Sequence, residues 1–162
     1  MNLAPLMTAS PAVQIHVASA VAAMALGALV LFRRKGGRHH KLMGRAFGIA
    51  MLIAALSSFW ISGIRMVGPF SPIHLISVWT LIAVVLGVIQ ARRGDLQAHR
   101  GTMVGLYAGG IGVAGGLSLL PGRVMNEIVF TSGTGILVFA AGAALVGAAL
   151  YVGGRRRRIR AA

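Results

Sequence analysis

Cysteine is absent from the 162 residues, and acids nearly so: two Asp and Glu together stand against 16 Lys and Arg. Without thiols the chain builds no disulfide, thiolate nucleophile, zinc knuckle or iron–sulfur cluster. Its acids, Asp95 and Glu127, fall in different connections. They supply no paired-carboxylate acid–base site, carboxylate metal site or proton relay. Charged residues make up only 11% of the chain, whereas a soluble domain carries about 25% because its surface faces water. That shortage excludes a soluble enzyme, a disordered tail and a nucleic-acid module together. What is present is apolar, 57% of the residues, with a mean hydropathy of +0.82. A net charge of +14 would suggest nucleic acid in a soluble protein. Here the bases sit in blocks between apolar runs, which is a membrane-topology pattern.

A helical span needs about 20 mostly apolar residues to cross the hydrocarbon core. Five segments meet that length, near Ala12–Phe32, Ala46–Ile64, Pro72–Ala91, Gly101–Leu120 and Ile128–Gly153. The alternating segments of a membrane barrel are missing. The connections are short, and the start MNLAPLMTASP lacks the basic residues of a signal peptide, so the first run reads as a retained helix. Arg33, Arg34, Lys35, Arg38, Lys41 and Arg45 fill the first connection. Arg92, Arg93 and Arg100 fill the third, and Arg155–Arg158 with Arg160 close the chain. Only Arg65 and Arg123 fall in the other connections. Five spans bring all three basic blocks to one face, which predicts a cytoplasmic C-terminus and an outside N-terminus in a bacterial inner membrane. The terminal arginines read as a stop-transfer signal in preference to a lipid or nucleic-acid patch.

The first helical hairpin recurs in the second. Ile15-His16 aligns with Ile73-His74, Arg33-Arg34 with Arg92-Arg93, and His40-Lys41 with His99-Arg100. Repeat one covers 12–64 and repeat two 72–120. An extra helix at 128–153 and a basic tail at 154–162 complete a single transmembrane domain. The expected architecture is all-α, with five spans: the first four form a duplicated-hairpin four-helix bundle and the fifth is peripheral. Parallel repeats relate the copies by an axis along the membrane normal.

That symmetry pairs His16 with His74 near the outer face and His40 with His99 at the inner face. Ionisable groups inside a bilayer are costly and point to function, and neutral imidazole is an axial ligand for haem iron. Bis-His ligation of haem b by His16 and His74, with His40 and His99 as candidates for a second haem, is the leading expectation. The outer pair is the better placed. Arg65 and Arg123 are the expected propionate contacts outside, with Arg38, Lys41, Arg45 and Arg100 available inside. Electron partners would be quinol or a redox protein. Gly101, Gly105 and Gly109 share one helix face and offer a smooth wall for a porphyrin. Glycine at this spacing more often means close helix packing. The alternative has the histidines bond across helices, making the chain a non-redox scaffold or a subunit of a larger membrane complex. A small transporter ranks third, since no charged residue lies mid-membrane.

The stretches PIHLISVWTL, ARRGD, AHRGTMVGLY and AGG with LLPGR, joined by HHKLMGR and SSFWISG in the first repeat, resemble the bacterial multi-pass membrane family catalogued as domain of unknown function 2306. The resemblance spans about Ile15–Arg123. It implies an inner-membrane protein and brings no catalytic residues with it. In count and order His16, His40, His74 and His99 are also similar to the ligands of di-haem b-type membrane cytochromes. Those ligands lie inside the helices, whereas His40 and His99 lie at the rim.

Overall fold

The computed structural model describes residues 3–61, 72–131 and 133–158. All regular structure among them is helical. Lipid offers no hydrogen bonds, so an apolar backbone must satisfy its own N–H and C=O groups, and helices do so within one segment. A short α1 (Ala4–Met7) precedes α2 (Pro11–Phe32), which opens on a proline at its first position, where the missing N–H is no loss. The end of α2 is capped by Lys35, whose Nζ donates to Val30 O at 2.6 Å and Leu31 O at 2.9 Å. Gly36, at φ +86°, then turns the chain into α3 (Arg38–Ser58).

A second helix–turn–helix follows. Helix α4 (Pro72–Arg92) ends at a turn whose Gly94 has φ +77°. Asp95 then caps α5 (Leu96–Leu106), its carboxylate accepting from Ala98 N at 3.0 Å. From Leu106 the chain continues in helical geometry as a π-helix (Tyr107–Val113) and α6 (Ala114–Leu117). After a turn at Gly122 come α7 (Val124–Phe130) and α8 (Gly133–Arg158).

Among the described residues three helices, Pro11–Leu31, Arg38–Ser58 and His74–Arg92, are long and apolar enough to cross a membrane. A fourth span is reached if Val124–Phe130 and Gly133–Leu145, bent by 109°, are counted as one. The expected fourth span is divided by the π-helix, and the expected fifth is broken rather than straight. The break precedes Gly133, and Gly135 in the first turn of α8 packs on the end of α7. A Cβ on Gly135 would lie 2.5 Å from Val129 O and 2.6 Å from Ile128 O, so only glycine permits the close approach there.

Helix α3 packs on α2 and on α4; α4 packs on α5; and the π-helix reaches back to α2. These contacts close a ring of four helical segments, with α8 against the outside of α2. Its interior holds Ala23, Ala28, Phe47, Met51, Ala83, Val84, Leu106 and Tyr107, all buried. Tyr107 is 1% exposed and donates its hydroxyl to Met24 O at 3.0 Å. Its ring lies 6.3 Å from that of Phe47.

Candidate functional site

Polar side chains inside this apolar bundle concentrate on the seams beside α3. On the α2 side, His16 lies half-buried and its Nδ1–H donates to Ala54 O at 2.8 Å, with Ser57 Oγ 3.4 Å from the same nitrogen. Ser19, one turn along α2, bonds back to Ile15 O and His16 O. On the α4 side, the hydroxyls of Ser58 and Ser77 meet at 2.6 Å. His74, 5% exposed, stacks on Phe59 with ring centroids 5.5 Å apart and planes 18° from parallel. Thr80 is buried one turn beyond Ser77.

At the opposite end of the bundle, His99 on α5 donates from Nδ1 to Gly87 O of α4 at 2.8 Å. His40 lies in the first turn of α3, at the end of the bundle that carries the Gly36 turn. Its buried Nδ1 has no hydrogen-bond partner among the described residues. A buried polar atom left unmatched in this way is uncommon. His39 lies exposed on the first turn of α3, because the helix begins about two turns before the apolar run.

A carbonyl can only accept, so Nδ1 of His16 and His99 carries a proton, and in the neutral ring Nε2 then holds the lone pair. Imidazoles that bind a metal are typically oriented in this way, by a carbonyl on the other ring nitrogen. No group of three or more His, Cys, Asp or Glu that could hold a bare metal ion occurs among the described residues. Haem makes a smaller demand, because the porphyrin supplies four nitrogens and the protein only axial ligands. His16 and His99 are donors of that axial kind.

Arg65 lies outside the described residues. Arg123 is half-buried in the turn before α7 and makes no ion pair with Glu127. The expected glycine wall divides into two parts. Gly101 and Gly105 have open space where a Cβ would be, whereas Gly109 is covered by the Trp79 ring, 3.0 Å from the position of its Cβ. Close packing therefore accounts for Gly109. Trp79, Leu75, Ile76, Gly109 and Val113 line an apolar groove on the outside of the bundle.

The family model of predicted membrane proteins designated DUF2306 matches residues 13–152. The chain belongs to that family. The match runs past Arg123, so the DUF2306 pattern takes in the segment of α7 and most of α8 as well as the two hairpins. No curated protein and no solved structure matches the chain. The likeness to di-haem cytochromes therefore rests on the four histidines alone.

Proposed function

We propose that this DUF2306 protein is a small b-type-cytochrome-like electron carrier of the bacterial inner membrane. In this reading it has five spans, with the N-terminus outside and the first four spans a duplicated hairpin. The observation that carries the reading is the tautomer of His16 and His99: each ring is held through Nδ1 with Nε2 left as a lone-pair donor. One such imidazole belongs to each pair, His16 with His74 and His40 with His99. The unmatched Nδ1 of His40 favours the inner pair as the first site to consider. Haem, when bound, would supply one-electron chemistry. The chain's own part is to orient the imidazoles and to exclude water with the packed layer of Phe47, Met51, Leu106 and Tyr107. Arg38, Lys41, Arg45 and Arg100 lie near the inner pair in sequence and suit propionates. Arg65 and Arg123 are the corresponding candidates for the outer pair, and quinol or a redox protein the electron partner.

Purified protein from haem-replete cells is expected to show a Soret band. His99→Ala should abolish the inner contribution, and His16→Ala or His74→Ala any outer one. A colourless preparation, or a spectrum indifferent to all of these substitutions, would overturn the reading. The orientation is tested by single cysteines placed in this cysteine-free chain. One at Ser10 should react with an impermeant maleimide added to intact spheroplasts, and one at Gly37 only after lysis.

A second reading is favoured by the packing. The centre of the ring is already filled by the chain's own side chains, and the bonds to Ala54 and Gly87 tie helices together unaided. In that case the protein is a scaffold or accessory subunit. Its histidine variants lose stability rather than colour, and it co-purifies with a larger membrane complex.

A further inference from the structure

The face that carries the two hairpin turns, Gly36 and Gly94, is strongly cationic. Of the bases there, Lys35 caps the end of α2. The one acid, Asp95, is engaged by the backbone of α5. Arg33, Arg34, Arg92 and Arg93 are all exposed, and their side chains make no ion pair or hydrogen bond among the described residues. They occupy matching places at the ends of α2 and α4. Beneath three of them, one helical turn back on the same side, lies an apolar residue open to the surroundings: Leu29 (48% exposed) below Arg33, Val88 (46%) below Arg92 and Ile89 (37%) below Arg93. Each strip thus presents hydrocarbon and then guanidinium, the order in which a phospholipid presents acyl chain and phosphate. Guanidinium binds phosphate oxygens in a bidentate fork.

We propose that Arg33–Arg34 and Arg92–Arg93 form binding sites for anionic phospholipid headgroups, whose acyl chains lie along the Leu29 and Val88–Ile89 strips. Basic clusters at the cytoplasmic end of membrane helices attract anionic lipid, each base contributing about fivefold in affinity. The proposal does not depend on haem. A role confined to setting topology during insertion would leave the arginines with no lipid preference in the finished protein.

The full-length protein, purified in detergent, is titrated with phosphatidylglycerol or phosphatidylcholine, and bound lipids are counted by native mass spectrometry. Retention of phosphatidylglycerol over phosphatidylcholine is expected, with the preference falling at least tenfold in R33Q/R34Q/R92Q/R93Q. Equal retention of the two lipids by the natural chain, or an undiminished preference in the variant, overturns the proposal. So does displacement of phosphatidylglycerol by millimolar inorganic phosphate, which would mark a site for free anions. If the quadruple variant fails to insert, R33Q/R34Q and R92Q/R93Q are measured separately, and the wild-type lipid ratio decides independently of either.

Discussion

Gly27 lies on α2 where the helix meets the Tyr107 ring. A Cβ there would overlap Cδ2 and Cε2 of Tyr107 and stand 3.0 Å from Cε2 of Phe47. The ring has little freedom to retreat. Tyr107 is 1% exposed, its hydroxyl is fixed to Met24 O on the same α2, and Phe47 backs it from α3. Gly27→Ala therefore inserts a methyl into a filled space. Overpacking of this kind costs about 1–3 kcal/mol. The gain in helix propensity from Gly to Ala returns at most about 1 kcal/mol. The net loss is about 1–2 kcal/mol, which is roughly 2–8 °C in Tm for a chain of this length. Thermal unfolding in detergent, followed by tryptophan emission, reads that shift. The decisive comparison is a double-mutant cycle. In a Tyr107→Leu background the flat ring is gone, and Gly27→Ala should become neutral or stabilising. Equal destabilisation in both backgrounds, or a Gly27→Ala protein as stable as the natural one, would refute the ring-on-glycine argument.

Other substitutions test the remaining contacts. Ser58→Ala and Ser77→Ala should each lower Tm, and their combination should lose less than the sum, with a coupling of about 0.6 kcal/mol as is usual for hydroxyl pairs between membrane helices; strict additivity would deny the bond between them. Asp95→Ala removes the side-chain cap of α5 and should cost about 1 kcal/mol, whereas Asp95→Asn should be nearly neutral because the amide oxygen still accepts; equal losses would point to charge instead. Gly135→Ala should open the bend between α7 and α8, since its methyl would collide with Val129 O and Ile128 O. A spin-label pair at Glu127 and Gly142 would then report a changed distance, and an unchanged one would show that the bend does not depend on that glycine.

Much of the fold is legible from apolar runs and basic blocks. Helices α2 and α4 begin and end within a residue or so of the expected Ala12–Phe32 and Pro72–Ala91. Helix α3 starts earlier than its apolar run because hydropathy reports contact with lipid, not helicity: Arg38, Lys41 and Arg45 extend a helix as well as they end a span. The π-helix leaves no pattern to read, since Gly109, Gly110 and Gly112 weaken a helix without indicating which carbonyl each N–H will choose. The break before α8 coincides with the stretch TSGTG at 131–135, a loop-type composition that the averaged hydropathy of the expected Ile128–Gly153 span absorbs. The partners of the histidines are illegible for another reason. Helices α2 and α4 are apolar nearly all round, so no stripe marks the side that turns inward. The bond from His16 to Ala54 O therefore appears only when the bundle is assembled.

The sequence symmetry and the bonding symmetry also part company, and the glycines suggest why. Aligning the arginine pairs sets His99 against His40 and Gly87 against Ala28. Where the second hairpin has Gly87, its partner helix can come near enough for His99 to reach the carbonyl, and the Met103 methyl also settles on that glycine. Where the first hairpin has Ala28, buried to 1% exposure, a methyl group occupies the corresponding room, and His40 Nδ1 is left unmatched. At the other end the asymmetry comes from α3 itself. Successive residues on a helix are turned by about 100°, so Ser57 addresses His16 while Ser58 addresses Ser77, and Phe59 covers His74. One helix end thus serves two repeats and cannot treat their histidines alike. A group that needs two equivalent imidazoles would have to draw His40 or His74 out of these different settings. The lone unmatched nitrogen makes His40 the easier of the two to recruit.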